Sequence, residues 1–302
     1  MKEKIKLTFL GTSDAVPSAS RNHSAILLSY YGENILVDCG EGTQRQFRKA
    51  RLNPCKIDKI LITHWHGDHV LGLPGLMQTL ALIGYNRKLE IYGPRGTKDK
   101  IKKMFETFVF VDNIDFKIKE VPSSGNFFET DDFILSTKKM IHKTVCNAYC
   151  FKEKDKIKID KQKLKKTGLP EGIHIQKLKE CKDIIFRGKK YKSKDMTFVE
   201  PGKKVCFVLD TRDNERIVDF VKDSDLFVCE ACFSSELEEH AKEHTHLTAS
   251  QAGEIAKRGN VGKLVLTHIS QRYENNFKLI LEEAKRNFKN VHLVRDLDVL
   301  RV

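Results

Sequence analysis

The residues best suited to chemistry form one short block at positions 64–69, H-W-H-G-D-H, directly behind the apolar run 59–63. Two imidazoles two positions apart on an extended segment reach one ion, and the carboxylate and imidazole that follow reach a second. Imidazole and carboxylate together suit zinc and its neighbours, and two ions about 4 Å apart form the usual clamp for phosphate-ester hydrolysis. The block therefore predicts a two-metal hydrolytic centre.

Five apolar runs end in a polar residue, which indicates how such a centre is held. Continuous aliphatic and β-branched runs are typical of strands covered on both faces. Because each run delivers a polar side chain at its C-terminal end, the sequence predicts one shared site along a sheet rim. The five polar residues are Asp38, His64, Asp210, Glu230 and His268.

Helical patterns lie between these runs, and strands interleaved with helices over the whole length predict an α/β fold. The predicted helices cover residues 43–50, 76–83, 249–258 and 277–288, with Thr248 as the cap of the third. At 302 residues, 40% of them hydrophobic, the chain suits one large α/β domain with an inserted segment. No segment resembles a membrane span or a signal peptide, so we expect a cytoplasmic protein.

Positive charge is concentrated in one part of the chain. The net charge is +13, and residues 152–194 hold 16 Lys and Arg against six Asp and Glu. A lysine-rich stretch is usually a solvated face, but an imbalance this local favours a polyanionic partner, most simply nucleic acid. With a Gly/Pro turn at 167–172, residues 152–200 are interpreted as a protruding arm, too weakly apolar to build its own core.

These motifs resemble those of the metallo-β-lactamase fold and, within it, of the tRNase Z family. The histidine block marks the superfamily, whereas G-E-G-T-Q-R at 40–45 and T-H-I-S-Q-R-Y at 267–273 are much more specific to tRNase Z. The resemblance covers nearly the entire chain. It implies a four-layer αββα sandwich built from residues 1–151 and 201–302 together, and a flexible basic arm at 152–200 that binds tRNA.

The resemblance also implies two Zn²⁺ per subunit, although Mn²⁺ and Fe²⁺ tolerate the same ligands. The implied ligands are His64, His66 and His142 for one ion, Asp68, His69 and His268 for the other, and Asp210 as the bridge. Asp68 would also orient or deprotonate the attacking water. Asp38, at an adjacent strand end, is expected to accept a hydrogen bond from a ligand imidazole.

Cleavage also needs a proton for the departing oxygen. The family places the histidine of an H-x-T segment near the scissile phosphate, which is His246 here, and Glu230 would orient it. The alternative is a structural role for His246 beside the helix cap at Thr248. His240 and His244 are interpreted as solvated. Candidate substrate contacts are Arg21, Ser270, Arg272, Lys154, Lys156 and Lys158.

The resulting hypothesis is a zinc-dependent endoribonuclease that removes the 3′ trailer from precursor tRNA, cutting 3′ of the discriminator base and leaving a 3′-OH. The family implies a homodimer. The alternatives are a general metal-dependent phosphodiesterase or another hydrolase of this fold, and a metal- and RNA-binding subunit without catalysis. Two features depart from the family: Ala19 stands where a lysine that senses the CCA end is expected, and Cys229 and Cys232 bound the loop that usually reads His-Glu-Ala-Thr.

Overall fold

The computed structural model describes residues 5–109, 114–170 and 172–302. The chain divides into two compact units. The larger comprises Met1–Glu129, Leu135–Phe151 and Lys204–Val302, and the smaller comprises Thr130–Ile134 and Lys152–Lys203. Strands alternate with helices through most of the larger unit, so the α/β prediction is confirmed.

The first sheet of the larger unit carries the histidine block at the end of its fourth strand. Its strands are β1 (Ile5–Gly11), β2 (Ala25–Tyr30), β3 (Glu33–Val37), β4 (Lys59–Leu61), β5 (Leu89–Gly93), β6 (Phe116–Glu120) and β18 (Val299–Arg301). They lie in the order β18-β1-β2-β3-β4-β5-β6. Pairing is antiparallel from β18 to β3 and parallel from β3 to β6.

The second sheet supplies the remaining strand ends. Its strands are β7 (Ser124–Glu129), β8 (Phe133–Met140), β9 (Cys146–Glu153), β14 (Lys204–Val208), β15 (Leu226–Glu230), β16 (Leu264–Thr267) and β17 (Val291–Leu293). They lie in the order β17-β16-β15-β14-β9-β8-β7. Strands β14 to β17 are parallel, so their C-terminal ends meet at one edge.

Helices cover the outer face of each sheet. Those of the larger unit are α1 (Thr43–Lys49), α2 (Gly67–Val70), α3 (Gly72–Leu82), α4 (Thr97–Thr107), α8 (Glu215–Val221), α9 (Glu238–His244), α10 (Ala249–Arg258) and α11 (Phe277–Asn287). Phe47 and Leu76 share a buried cluster with the first-sheet residue Leu36. Ile255 and Ile280 share another with the second sheet. Among the described residues, no helix is long and apolar enough to cross a membrane.

The two sheets pack face to face through aromatic side chains. The rings of Tyr30 and Phe151 lie 5.1 Å apart between centroids. The Tyr149 hydroxyl donates to the carbonyl of Ile62 at 2.7 Å, joining β9 to the end of β4. With helices outside both sheets, this is the four-layer αββα sandwich, and the predicted architecture is confirmed.

Helix α3 begins earlier than the pattern predicted, at Gly72 rather than at residue 76. Its first turn contains Pro74, which is tolerated there because the first helical N–H groups have no partner. Gly75 follows, and a Cβ at that position would lie 3.0 Å from Oε1 of Gln44 in α1. Pro74 therefore suits the start of helix α3, and Gly75 leaves room for helix α1 beside it. At α10 the predicted cap is present, with Thr248 and Gln251 forming a capping box.

The described residues of the smaller unit form two antiparallel strand pairs and three short helices. Its elements are β10 (Lys156–Ile159), α5 (Lys161–Lys165), α6 (Ile173–Lys179), β11 (Ile184–Phe186), β12 (Lys189–Tyr191), α7 (Ser193–Met196) and β13 (Thr197–Glu200). Strand β10 pairs with β13, and β11 pairs with β12. It has its own small core of Leu169, Leu178, Ile184 and Met196. The expectation that this segment is too weakly apolar for a core was wrong, because its few apolar side chains come from different elements and converge.

Candidate metal centre

The structure brings all seven predicted ligand residues together in two groups that share one carboxylate. The ligand atoms within each group lie within 4.8 Å of one another. The groups are His64, His66, His142 and Asp210, and Asp68, His69, Asp210 and His268. They come from the ends of strands in both sheets rather than from the rim of one, which corrects the single-rim expectation. The two sheets face each other, so their edges border one site.

Left-handed backbone turns the chain at these strand ends. The φ angles of Asp38, Asp210 and His268 are 57°, 53° and 57°, a region that few residues other than glycine adopt. Each of these residues directly follows, or lies one or two positions beyond, a buried strand. The turn directs a polar side chain into the site instead of along the sheet. Strain of this kind persists only where the surrounding packing enforces it, and it clusters at functional sites.

The Asp210 carboxylate lies between the two groups and divides its oxygens between them. Its Oδ2 lies 3.6 Å from Nε2 of His64 and 3.8 Å from Nε2 of His142. Its Oδ1 lies 3.4 Å from Nε2 of His69 and 3.2 Å from Nε2 of His268. One oxygen thus faces each group, which is the disposition that a bridging ligand requires.

The imidazole nitrogens converge in a way that suits a cation. Nδ1 of His66 lies 3.0 Å from Nε2 of His64 and 3.1 Å from Nε2 of His142, and Nε2 of His69 lies 3.2 Å from Nε2 of His268. Nitrogen ligands about 2.0 Å from a tetrahedral zinc ion lie about 3.3 Å from one another. Oδ1 of Asp210 is buried yet accepts no hydrogen bond from the described residues. These residues fit two divalent metal ions.

Three of the ligand imidazoles are oriented through their second nitrogen. Nδ1 of His69 donates to Oδ2 of Asp38 at 2.7 Å, which leaves Nε2 facing the site. Asp38 is itself held by Thr63, whose backbone N–H and hydroxyl donate to it at 2.7 and 2.8 Å. The Thr63 hydroxyl also lies 3.1 Å from Nδ1 of His64. Nδ1 of His142 lies 2.8 Å from the hydroxyl of Thr245. Such contacts fix ring orientation and tautomer.

The charges at the site also favour a cation. Burial opposes protonation of His69, but the carboxylates of Asp210, Asp38 and Asp68 raise its pKa well above the usual value. Burial likewise opposes ionisation of Asp210, but His268 and His69 hold the pKa of that carboxyl well below its usual value. The carboxylates therefore favour positive charge at the site, which divalent ions would supply.

His246 lies at the side of the centre, next to ligand imidazoles from both groups. Its ring centroid is 5.4 Å from that of His142 and 5.7 Å from that of His268. Nδ1 lies 3.0 Å from Oε2 of the fully buried Glu230, which also accepts from the backbone N–H groups of Thr211 and Leu247. Burial opposes protonation of the imidazole, but Glu230 raises the pKa of His246 to about 9. His246 is thus held beside the centre, with its protonated form favoured by Glu230.

The candidate substrate contacts differ in their placement. Arg272 is exposed, and its guanidinium carbon lies 5.8 Å from the ring centroid of Phe233, which neighbours His246. Ser270 is buried where the 3₁₀ turn Gln271–Tyr273 begins. The structure therefore brings Arg272 toward the site with an accessible charge, while Ser270 supports the turn that carries it.

Arg21 does not reach the site from solvent. It is only 3% exposed and donates to the Thr12 hydroxyl at 2.7 Å and to the Val294 carbonyl at 2.9 Å. Its guanidinium carbon lies 4.1 Å from the ring centroid of Phe277. Burial lowers the pKa of Arg21 to about 10. This placement is that of an interior structural residue, and it gives the predicted phosphate contact no support.

The arm lysines lie in the smaller unit, where acidic neighbours offset some of their charge. Lys156 lies 3.3 Å from Asp132 and 3.3 Å from Glu153, and Lys158 lies 3.7 Å from Glu200. Lys154 is half-buried. The unit remains strongly basic because its lysines greatly outnumber these partners.

Thr63 and Thr245 are positioning residues that the sequence did not single out. Thr63 directly precedes the histidine block, and a hydroxyl residue at the end of an apolar run could have been recognised there from the sequence. Thr245 is in the left-handed region with φ 59°, and its contact with a histidine 103 positions earlier depends on tertiary structure. Gly40, the first residue of the motif at 40–45, has a packing role as well: a Cβ there would lie 2.4 Å from the carbonyl oxygen of Asp68. Only glycine lets these two loops meet.

Comparison with solved structures identifies the fold. Human tRNase Z, short form, matches with a TM-score of 0.71 at 28% identity, over 98% of both chains. YhfI of Bacillus subtilis, a metallo-β-lactamase fold protein, matches with a TM-score of 0.73 at 19% identity, over the full length of both chains. A family model described as Anti-Pycsar protein Apyc1 matches residues 5–109. The sandwich and its two ligand groups define a protein of the metallo-β-lactamase fold.

Proteins of similar sequence identify the family within this fold. Ribonuclease Z of Nanoarchaeum equitans is 38% identical over 291 residues, which cover 96% of this chain and 91% of that protein. Ribonuclease Z of Archaeoglobus fulgidus is 37% identical over 302 residues, which cover 98% of this chain and 97% of that protein. The chain belongs to the ribonuclease Z family.

Proposed function

We propose that this protein is a metal-dependent endoribonuclease that removes the 3′ trailer from precursor tRNA. It hydrolyses the phosphodiester 3′ of the discriminator nucleotide and leaves a tRNA 3′-OH. The observation that carries the proposal is the pair of ligand groups sharing Asp210, in a chain that matches ribonuclease Z relatives over almost its whole length. We further propose two Zn²⁺ ions as the metals.

The two ligand groups would hold the ions, and Asp210 would bridge them. Zinc bound there would supply positive charge to the phosphate oxygens and would lower the pKa of the attacking water. We assign Asp68 the role of accepting a proton from the attacking water. Its Oδ2 already lies 3.1 Å from Nε2 of His69 and 3.2 Å from Nε2 of His268. Burial alone would raise the pKa of Asp68, but His69 holds it well below the usual value. The carboxyl group of Asp68 is therefore ionised at neutral pH.

His246 delivers the proton that the departing oxygen needs. Attack by water on phosphorus breaks the bond to the 3′ oxygen of the discriminator nucleotide, and that oxygen leaves as an alkoxide unless it is protonated. With its Nδ1 on Glu230 at 3.0 Å, the imidazolium presents Nε2 as the donor. The roles of Asp68 and His246 are thus complementary, one receiving and one giving a proton.

The basic arm at residues 152–200 is proposed to bind the folded tRNA. Contacts between phosphates and several lysines give affinity that falls steeply with salt and depends little on sequence. Recognition by shape suits an enzyme that must accept many tRNAs. We propose Arg272 as a contact near the scissile phosphate, since its charge is exposed beside the His246 side of the centre. A homodimer and a cytoplasmic location are proposed from family membership alone.

One assay tests the function. Purified protein is incubated with a 3′-extended tRNA and, separately, with bis-p-nitrophenyl phosphate, each with and without a chelator. The expected result is cleavage of the tRNA at the discriminator, abolished by the chelator and restored by zinc. The product ends are mapped to verify a 3′-OH on the tRNA.

Two other results would contradict the proposal. Cleavage of the small diester without cleavage of the tRNA would indicate a general phosphodiesterase. Binding of the tRNA without any metal-dependent cut would indicate a non-catalytic RNA-binding protein.

A further inference from the structure

A second cluster of metal-ligand side chains lies outside the centre, on helix α9. His240, Glu243 and His244 each offer one ligand atom, and these atoms lie within 4.8 Å of one another. The sequence reads H-A-K-E-H, so the three residues stand at positions i, i+3 and i+4 and share one helical face. The sequence alone favoured two solvated histidines, but solvation does not account for their convergence.

The two imidazoles are held close together by their surroundings. Their ring centroids are 4.4 Å apart. Phe233 packs edge-on against His240 with centroids 5.0 Å apart, which limits the freedom of that ring. Both histidines are half-buried and Glu243 is exposed, so the cluster is reachable from solvent. A pair held in this way loses little side-chain freedom on binding an ion.

We propose that His240, Glu243 and His244 form a further divalent metal site, separate from the ligand groups around Asp210. Histidines at i and i+4 on a helix bind zinc with both rings on one face, and the spacing H-x-x-E-H occurs in zinc enzymes with such helices. Imidazole ligands select Zn²⁺, Ni²⁺ or Cu²⁺ over Mg²⁺ or Ca²⁺. Water completes the coordination because the cluster lies at the surface.

Lys143 lies beside this cluster. Its ammonium lies 3.4 Å from Nδ1 of His244, where it opposes a nearby cation. The Lys143 charge should therefore weaken the binding of a cation at this cluster.

The site is connected to the catalytic side of the protein through one residue. Thr245 ends helix α9 and donates its hydroxyl hydrogen bond to the carbonyl of His244 at 2.6 Å. The same hydroxyl lies 2.8 Å from Nδ1 of His142. An ion joining His240 to His244 would hold the last turn of the helix and thereby Thr245. Metal binding at the surface should therefore stabilise the segment that precedes His246.

The test counts metal on the intact protein. The parent and a His240→Ala/His244→Ala variant are dialysed against the same micromolar free zinc, and bound zinc is measured by atomic emission. We expect the parent to hold one more zinc ion per chain, a difference that does not depend on how many ions the central groups hold. His292→Ala is the matched control, because that side chain is 47% exposed and lies outside both clusters.

Two further variants keep the test informative if the double variant unfolds. Glu243→Gln keeps both imidazoles and should weaken zinc binding several-fold, while Lys143→Gln should tighten it. Thermal unfolding supplies a second readout: micromolar zinc should raise the midpoint more for the parent than for the double variant. Equal zinc content and equal midpoint shifts in the parent, the double variant and the His292→Ala control would overturn the proposal.

Discussion

Glu230→Gln should make the cleavage of precursor tRNA depend strongly on pH, because it removes the carboxylate that keeps His246 protonated. Burial favours the neutral imidazole of His246, and the Glu230 carboxylate overcomes this to give a pKa of about 9, against an ordinary value of 6.5. A general acid works only while protonated, so its contribution is present below its pKa and is lost as the pH rises through it. Removing the carboxylate moves this loss from above pH 8 to below pH 7.

The size of the effect follows from the two pKa values. At about pH 8 roughly nine-tenths of His246 is protonated in the parent, whereas about 3% would be at a pKa near 6.5. Glu230→Gln should therefore cleave precursor tRNA about 30-fold more slowly at about pH 8, and less than about 2-fold more slowly at about pH 6. The measurement is single-turnover cleavage across this range, expressed as the ratio of variant to parent, which cancels titrations that both share.

Controls separate this effect from damage to the fold. Glu230 also accepts hydrogen bonds from backbone N–H groups, and glutamine keeps only one acceptor oxygen, so some loss of stability is expected. Unfolding curves at both pH values show whether the variant is folded. Glu239→Gln, an exposed carboxylate on α9, is the matched control. A ratio that stays constant from pH 6 to pH 8 would refute the reasoning and leave Glu230 with a purely structural role.

Four further predictions address the rest of the protein. Asp68→Asn should lower single-turnover cleavage by about 100-fold or more while leaving tRNA affinity in filter binding almost unchanged; a parallel loss of affinity would contradict the role as proton acceptor. Deleting residues 154–194 should weaken tRNA processing and reduce its dependence on salt, but should leave the hydrolysis of bis-p-nitrophenyl phosphate unchanged. Equal loss of both activities would indicate that the segment has a structural role. Arg21→Met should lower the free energy of unfolding in urea by about 2 kcal/mol or more and leave the salt dependence of tRNA binding unchanged. A weaker salt dependence would instead indicate that Arg21 contacts a phosphate. Gly40→Ala should destabilise by about 1–3 kcal/mol, because the methyl group would meet the Asp68 carbonyl oxygen at 2.4 Å; an unchanged unfolding midpoint would show that the loops can separate.

Local patterns predicted the strand ends well because two regularities coincide there. The apolar run before His268 is observed as strand β16 (Leu264–Thr267), with His268 directly after it. Parallel strands place their C-terminal ends at one edge, so a polar residue after each apolar run is enough to predict convergence. Which sheet each strand joins was not visible in these runs, since β3 and β16 have the same apolar character but belong to different sheets.

Interior placement of polar residues was less predictable. Arginine is seldom buried, so Arg21 was interpreted as a surface cation. It stacks instead on Phe277, which lies in helix α11, more than 250 positions later in the chain. The core of the arm was not predicted for a related reason: Leu178 and Met196 lie in different short segments rich in polar residues, and they meet only after folding. Both cases depend on contacts between distant parts of the chain, which periodicity within a short window does not contain.

Hydrogen bonds from neighbouring residues hold the ligand groups on both sides of the centre. Asp38 fixes His69 at 2.7 Å, and it is fixed in turn by two hydrogen bonds from Thr63, the residue before His64. The Thr63 hydroxyl therefore contacts His64 of one group directly, and His69 of the other group through Asp38. On the other side, Thr245 lies next to Nδ1 of His142 and is followed by His246. A displacement of either support would move a ligand and a neighbouring functional residue together, so the geometry for holding metal and the geometry for moving protons are set by the same contacts.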